Sequence, residues 1–293
     1  MEYKARPLLH KFNILVLGVM AFSLFLFNIL FLNGLLDSNP KVISHRGVDS
    51  LSNPNGVQNT IPSLIKTSKL KPDYIEIDVQ ETKDNQFVMM HDNHLDNLAG
   101  VSGTPQDYTL AQLKKMKVSE NDMEAPLASF DDYLKTANNL NQKLLIEIKT
   151  TKRDSDKFMD NFIKQYKDNL ISNKHQIQSL DFDVITKVKK LEPRIPVSYI
   201  MPYNLVYPNT NADMYTMEET TLNDSFVIKS LLLGKEVYAW TVNTSNAMDK
   251  VMFMNVDGII SDEVSMLQDE LETFHKNPKY ADRIIYYISV MPD

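Results

Sequence analysis

Short apolar and β-branched runs recur along this chain between residues 41 and 260, with helix-period segments between them. The runs that read as strands are Lys41–Ser44, Tyr74–Gln80, Phe87–His91, Lys143–Lys149, Gln176–Leu180, Val197–Ile200, Ala212–Tyr215, Glu236–Val242 and Val256–Ile260. Helical patterns fall at Ile61–Lys69, Leu110–Met116, Phe130–Asn139, Ser155–Asn169, Phe182–Lys190, Asp224–Leu233 and Ser245–Met254. This alternation specifies a mostly parallel sheet, because parallel strands need a crossover long enough to hold a helix. No Gly-rich phosphate loop of the Rossmann or P-loop kind is present. Eight or nine strands at this spacing predict an α/β fold of the (β/α)8 TIM-like barrel type. One connection is too short for a crossover. Thr82-Lys83-Asp84-Asn85 predicts a β-hairpin after the second strand, which would carry His91 back level with Glu76. Residues 92–128 then form a long insertion.

The 293 residues suit one barrel domain with a short additional segment. The absence of cysteine excludes disulfides, thiolate zinc sites and cysteine nucleophiles. A net charge of −7 argues against nucleic acid as a partner. From Phe12 to Leu36 no residue is charged, and most are Leu, Phe, Ile, Val or Met. A helix needs about 20 such residues to cross a bilayer. The run is too long for a signal-peptide core, and no clear small-x-small cleavage site follows it. The expected organisation is therefore a basic cytoplasmic segment (1–11), a transmembrane anchor (12–36), a linker (37–40) and the barrel domain (41–293). Lys4, Arg6 and Lys11 would stay in the cytoplasm by the positive-inside rule. That makes the chain a single-pass protein of the cell membrane with its catalytic domain outside. Leu267, Leu271 and Phe274 continue a helical pattern beyond the last strand. The later run Ile284–Ile288 either packs on the barrel or meets the bilayer or another chain.

Polar residues interrupt the strands where a barrel would place its mouth. Glu76 and Asp78 are two apart on one strand and share a face, with Ile75, Ile77 and Val79 on the other. Glu147 and Lys149 repeat the arrangement against Ile146 and Ile148. Three carboxylates on one inner face repel unless a cation joins them. Glu76, Asp78 and Glu147 are thus candidate ligands for Mg2+ or Ca2+, hard cations that take carboxylate oxygens. His45 and His91 both end strands and form a candidate acid–base couple near neutral pH. Arg46 offers a bidentate fork to a phosphate and Lys149 a point charge. Asp92 either orients His91 or opens the next loop, and His94 is expected in solvent. Trp240, the only tryptophan, is a candidate ligand-stacking residue. Tyr199 is expected at the same mouth, and Asn243 follows Trp240 closely enough to join it. Asp262 reads as a helix N-cap.

Taken in order, His45-Arg46-Gly47, Asn59-Thr60, Glu76-Ile77-Asp78, His91-Asp92, Glu147-Ile148-Lys149, Trp240-Thr241-Val242-Asn243 and Asp257-Gly258-Ile259 resemble the glycerophosphodiester phosphodiesterases. The match spans about Val42 to Glu263, and the N-terminal run makes the chain look like the membrane-anchored bacterial branch. The resemblance implies a phospholipase-C-like barrel and a divalent metal on Glu76, Asp78 and Glu147. It implies His45 and His91 as general acid and base, and hydrolysis of glycerophosphodiesters to glycerol 3-phosphate and an alcohol. Lipid headgroups or teichoic-acid-like polyglycerol phosphates are the substrates such a location suggests. One departure stands out: the family commonly carries Glu-Asn-Thr where this chain has Gln58-Asn59-Thr60. Gln58 is therefore a candidate substrate-side residue with one negative charge fewer. Two alternatives remain: a sphingomyelinase D-like or phospholipase C-like enzyme on the same barrel, and a catalytically impaired, membrane-tethered phosphodiester-binding module.

Overall fold

The computed structural model describes residues 16, 18–20, 22–23, 39–50, 54 and 56–276. The chain divides into two compact units, Met1–Ser38 and Asn39–Asp293. Most of the expected anchor and the run Ile284–Ile288 lie outside the described residues. Among those described, no helix is long and apolar enough to cross a membrane.

The second unit contains strands β1 (Lys41–Ser44), β2 (Tyr74–Glu81), β3 (Phe87–Met89), β4 (Lys117–Glu120), β5 (Met123–Pro126), β6 (Leu144–Ile148), β7 (Gln176–Ser179), β8 (Val197–Met201), β9 (Met214–Glu218), β10 (Glu236–Trp240) and β11 (Gly258–Ser261). Eight of them, β1, β2 and β6 to β11, form a parallel sheet in chain order. It closes because β1 pairs with β11 on one side and with β2 on the other, at Ile43↔Tyr74 and Ser44↔Ile75. The expected (β/α)8 barrel is therefore present. Helices cover it, each packing an apolar face on the strands. The β8–β9 connection, residues 202–213, contains no helix.

The predicted hairpin is also present. β3 runs antiparallel to β2 with Val79↔Met89 and Glu81↔Phe87 in register. It is held from outside by Phe87, which is 2% exposed and lies edge-on to Phe162 at 5.2 Å between centroids. Burying such a ring stabilises by about 1.5–3 kcal/mol. The hairpin delivers His91 to the mouth: Met90 N–H donates to Asp78 O, so the chain still follows β2 one residue before the histidine. The insertion adds an unforeseen second hairpin, β4–β5, paired from Lys117↔Pro126 to Glu120↔Met123.

The alternation of side chains sets the layers inside the barrel. Ile75, Ile77 and Val79 face outward to the helices, in one cluster with Phe130, Tyr133 and Phe162. Inward, Ile43, Tyr74, Leu145, Met214, Tyr238 and Ile260 form an apolar cluster with Trp240 packed against it. Further toward the strand C-termini the inward positions turn polar, at Glu76, Asp78, Glu147, Gln178 and Thr216. The apolar layer closes one end and the polar layer opens at the C-terminal face, where barrel sites are built. The outer helices start at side-chain caps from the loops at that face: Thr60, Ser129, Asp181, Asn223 and Thr244 each accept a backbone N–H of the first turn. The last helix, Val264–Lys276, buries Leu267, Leu271 and Phe274 as its pattern predicts.

Candidate active site

The mouth of the barrel holds a cavity of about 70 Å³ with two unlike walls. His45, Arg46, Glu76, His91, Glu147 and Lys149 make one; Leu180, Ile200, Trp240 and Ile260 contribute to the other. Among the described residues, Glu76, Asp78 and Glu147 each offer a carboxylate oxygen within 4.8 Å of the others. Each carboxylate is held from a different element. Asp78 receives Asn59 Nδ2 (2.8 Å), while its own N–H donates to Asn59 Oδ1 (3.0 Å). Glu76 receives Arg46 N–H (3.0 Å) and Gln178 Nε2 (3.2 Å). Glu147 receives Lys149 Nζ (3.2 Å), which also lies 3.7 Å from Asp78.

The electrostatics of this cluster are unbalanced. Burial, with Asp78 and Glu147 alongside, pushes Glu76 well above the usual carboxylate range. Burial and the Asp78 charge push Glu147 up to about 7. Asp78 is equally buried, yet Lys149, His91 and Arg46 outweigh its desolvation and hold it below the usual value. Three carboxylates thus face two cations, and two of the three give up charge easily. That surplus of buried oxygen ligands fits a hard divalent cation, which would restore the charge.

Each histidine has its own carboxylate. His45 Nδ1 is 2.8 Å from Asp262 Oδ1, and its Nε2 lies 4.0 Å from Glu76 Oε2. His91 Nδ1 is 2.8 Å from Asp92 Oδ1. In both, the outer ring nitrogen is tied to a carboxylate and Nε2 is left for the cavity. Burial holds His91 below its ordinary value, with Arg46 and Lys149 adding to the effect and Asp78 opposing it. Neutral imidazole is therefore its resting form near pH 7.

Backbone conformation brings these groups together. A three-residue turn, His45–Gly47, follows β1, with Arg46 at φ 53° and Gly47 at φ 71°. A Cβ at Gly47 would sit 3.0 Å from Tyr133 Oη, so the turn needs glycine on both counts.

Several sequence expectations move. Asp262 is no helix cap: its carboxylate goes to His45 and to Asn243 Nδ2 (2.7 Å). Asn243 accordingly reaches Asp262 and is absent from the cavity wall. Tyr199 points outward on β8, stacked edge-on against Phe182 at 5.9 Å, because Ile200 takes the inward phase. Gln58 accepts from Arg46 Nη1 (2.8 Å) and borders a second cleft of about 200 Å³. Trp240 does line the cavity, its Nε1 donating to Thr216 O (3.2 Å). Asp92 orients His91, and His94 is exposed. Gln178 and Thr216 are additional cavity residues, linked by a 3.1 Å hydrogen bond.

The model of the glycerophosphoryl diester phosphodiesterase family matches residues 45–266, which contain every group described above. The chain belongs to this family. It is a phosphoric diester hydrolase. A glycerophosphodiester phosphodiesterase of Caldanaerobacter subterraneus is 28% identical over 237 residues, covering 77% of this chain and 95% of that one. The crystal structure of a glycerophosphodiester phosphodiesterase from Parabacteroides distasonis is 25% identical, with a TM-score of 0.68 over 83% of this chain and 99% of that one. An Oleispira antarctica phosphodiesterase, solved with its product sn-glycerol 3-phosphate, shares the fold at a TM-score of 0.69 and 19% identity, over 80% of this chain and 97% of that one.

Proposed function

We propose that this family member hydrolyses glycerophosphodiesters to sn-glycerol 3-phosphate and an alcohol, with a divalent cation held by Glu76, Asp78 and Glu147 and with His45 and His91 as the acid–base pair. The observation that carries this reading is two carboxylate-tied histidines facing one cavity beside a carboxylate triad. When bound, the cation supplies Lewis-acid polarisation of a phosphoryl oxygen. The chain's own groups do the rest. Arg46 and Lys149 receive the charge that grows on the phosphoryl oxygens. One histidine takes a proton at Nε2 from the attacking hydroxyl, and the other gives one from Nε2 to the leaving oxygen. Asp262 and Asp92 hold the rings and stabilise whichever imidazolium forms. The attacking hydroxyl is either the neighbouring glycerol hydroxyl or water.

The two cavities suggest how a diester lies. They share His45 and Arg46, so a phosphate there has one arm against Leu180, Ile200 and Trp240. The other arm extends over the polar cleft bordered by Ser50, Gln58, Glu120 and Asn121. The glycerol arm suits the first and a hydrophilic alcohol the second, as in lipid headgroups or polyglycerol-phosphate polymers. The uncharged run from Phe12 to Leu36 supports a single-pass anchor with the barrel outside the cell. Neither alternative activity is favoured, since the acid–base pair and the triad are intact beside Gln58.

The test is a panel of glycerophosphodiesters assayed for sn-glycerol 3-phosphate against cyclic phosphate. Turnover should fall about 10²–10⁴-fold in His45→Ala or His91→Ala, the usual loss with acid–base catalysis. Near wild-type rates in either variant would remove the assignment.

A further inference from the structure

The insertion hairpin borders the second cleft with Glu120 and Asn121, and Glu120 makes the contact to Gln58. Glu120 ends β4, beside the tight turn Asn121-Asp122, both at positive φ. Its carboxylate takes two hydrogen bonds from Gln58: backbone N–H to Oε2 (3.2 Å) and Nε2 to Oε1 (2.7 Å). The Gln58 side chain in turn accepts from Arg46 Nη1 through its Oε1 (2.8 Å). One amide is thus gripped by an anion on its donor side and by a cation on its acceptor side. The arrangement fixes the amide's orientation, since the flipped form would set N–H against guanidinium and oxygen against carboxylate. Groups aligned in this way polarise one another.

Arg46 has a competing attraction. Its Nε lies 3.7 Å from buried Asp78 and makes no hydrogen bond. The carboxyl groups of Glu76 and Glu147 also lie near this guanidinium. Without a hold at Nη1, the Asp78 contact would draw the fork down and away from a phosphate. The Gln58 amide is neutral, and the charge that strengthens it stands one residue further out, on Glu120.

We propose that Glu120 is a positioning residue for Arg46, acting through Gln58, and that this contact docks the insertion hairpin onto the mouth of the site. The inference rests on the phosphodiesterase reading, because it gives Arg46 the phosphate. It makes the insertion part of the phosphate site, with Glu120, Gln58 and Arg46 a single chain of contacts.

The test is a swap cycle with Glu120→Gln, Gln58→Glu and the double variant, in the intact protein with its metal. Each is read by KM and kcat, by the affinity for sn-glycerol 3-phosphate, and by hydrogen–deuterium exchange at the Gln58 amide and residues 117–126. Glu120→Gln should raise KM about tenfold with kcat within about threefold, the pattern of lost ground-state binding. Gln58→Glu sets two carboxylates in contact and should speed exchange in the hairpin by about tenfold or more. In the double variant amide and carboxylate trade places, so exchange and KM should return to within about threefold of wild type. Additive losses in the double variant, or an unchanged KM and Gln58 exchange in Glu120→Gln, would overturn the inference. Wild-type turnover tests the phosphodiesterase reading separately. An active wild type with additive variants removes only the role of Glu120. An inactive wild type removes the function, and affinity and exchange still decide the coupling.

Discussion

Replacing Asp262 by asparagine should disable His45 by more than the loss of a charge. In the native protein Asp262 Oδ1 takes His45 Nδ1–H at 2.8 Å, with both side chains about 15% exposed. Its other oxygen takes Asn243 Nδ2 (2.7 Å), and its backbone N–H donates to Asn243 Oδ1 (2.8 Å). Asn243 is pinned further by Ser261 Oγ (3.2 Å), so its amide nitrogen must face residue 262. An asparagine at 262 would turn its oxygen to that nitrogen and its own NH2 to His45. The imidazole would then accept at Nδ1 and carry its proton on Nε2, the tautomer unable to act as a base toward the cavity. Loss of the charge-assisted hydrogen bond alone is worth about 1.5–3 kcal/mol, or roughly 10–100-fold in rate. With the wrong tautomer added, kcat/KM should fall about 10²–10⁴-fold. Asn243→Ala, which loosens Asp262 without reversing it, should cost only about tenfold. In Asp262→Asn with Asn243→Asp, the new carboxylate accepts the amide N–H, which turns the amide oxygen back to His45, so the part of the loss due to the wrong tautomer should be recovered. The assay is steady-state glycerol 3-phosphate release, with thermal unfolding to show that each variant is folded. A folded Asp262→Asn enzyme within about threefold of wild type, or a double variant no better than the single, would refute the reasoning.

His175 gives a prediction about pH. It is 1% exposed, its Nδ1 accepts from Leu144 N–H and its Nε2 donates to Asn138 Oδ1, both at 2.9 Å. Burial holds its pKa down to about 4. The unfolded ring charges near 6.5 and the folded ring only near 4, so this stability is complete above pH 6.5. It is lost as pH falls through that window, by up to about 3 kcal/mol. Urea unfolding of His175→Gln should show a flatter dependence there, and an unchanged slope would contradict the account. Trp240, the only tryptophan, lines the cavity, so its fluorescence should change on adding sn-glycerol 3-phosphate and saturate with binding. A flat titration alongside binding seen by calorimetry would place the ligand elsewhere.

The barrel was legible because two periodicities coexist in the chain. Period-two alternation at Glu76, Asp78 and Glu147 put carboxylates on one face and Ile75, Ile77 and Ile148 on the other, and the structure keeps that division. The four residues Thr82 to Asn85 fixed the hairpin, since no crossover fits such a length. What escaped depends on distance through space. Asp262 lies 217 residues from His45, and only barrel closure, with β11 beside β1, brings them together. Locally it looked like a cap, because a helix does begin two residues later at Val264. Tyr199 packs outward on Phe182 and not at the mouth expected for it, since Val197–Met201 is apolar on both faces apart from Ser198 and offers no phase. The β4–β5 hairpin is short and half polar, and its one local signal was the Asn121-Asp122 turn. Gln178 sits on a strand expected from the sequence, whereas Thr216 lies beyond the expected run Ala212–Tyr215, on a strand that the structure places at Met214–Glu218; the height of both above the apolar layer depends on the stagger of the barrel.

The claim on which the account stands is that Glu76, Asp78 and Glu147 hold a divalent cation needed for phosphodiester hydrolysis. The direct measurement is sn-glycerol 3-phosphate release by EDTA-stripped protein before and after adding Mg2+ or Ca2+, beside Glu147→Gln treated alike. The stripped protein should show no turnover and recover with the cation, and recovery should be at least about 100-fold weaker in Glu147→Gln. Full activity in the stripped protein, or equal recovery in the variant, would contradict the claim.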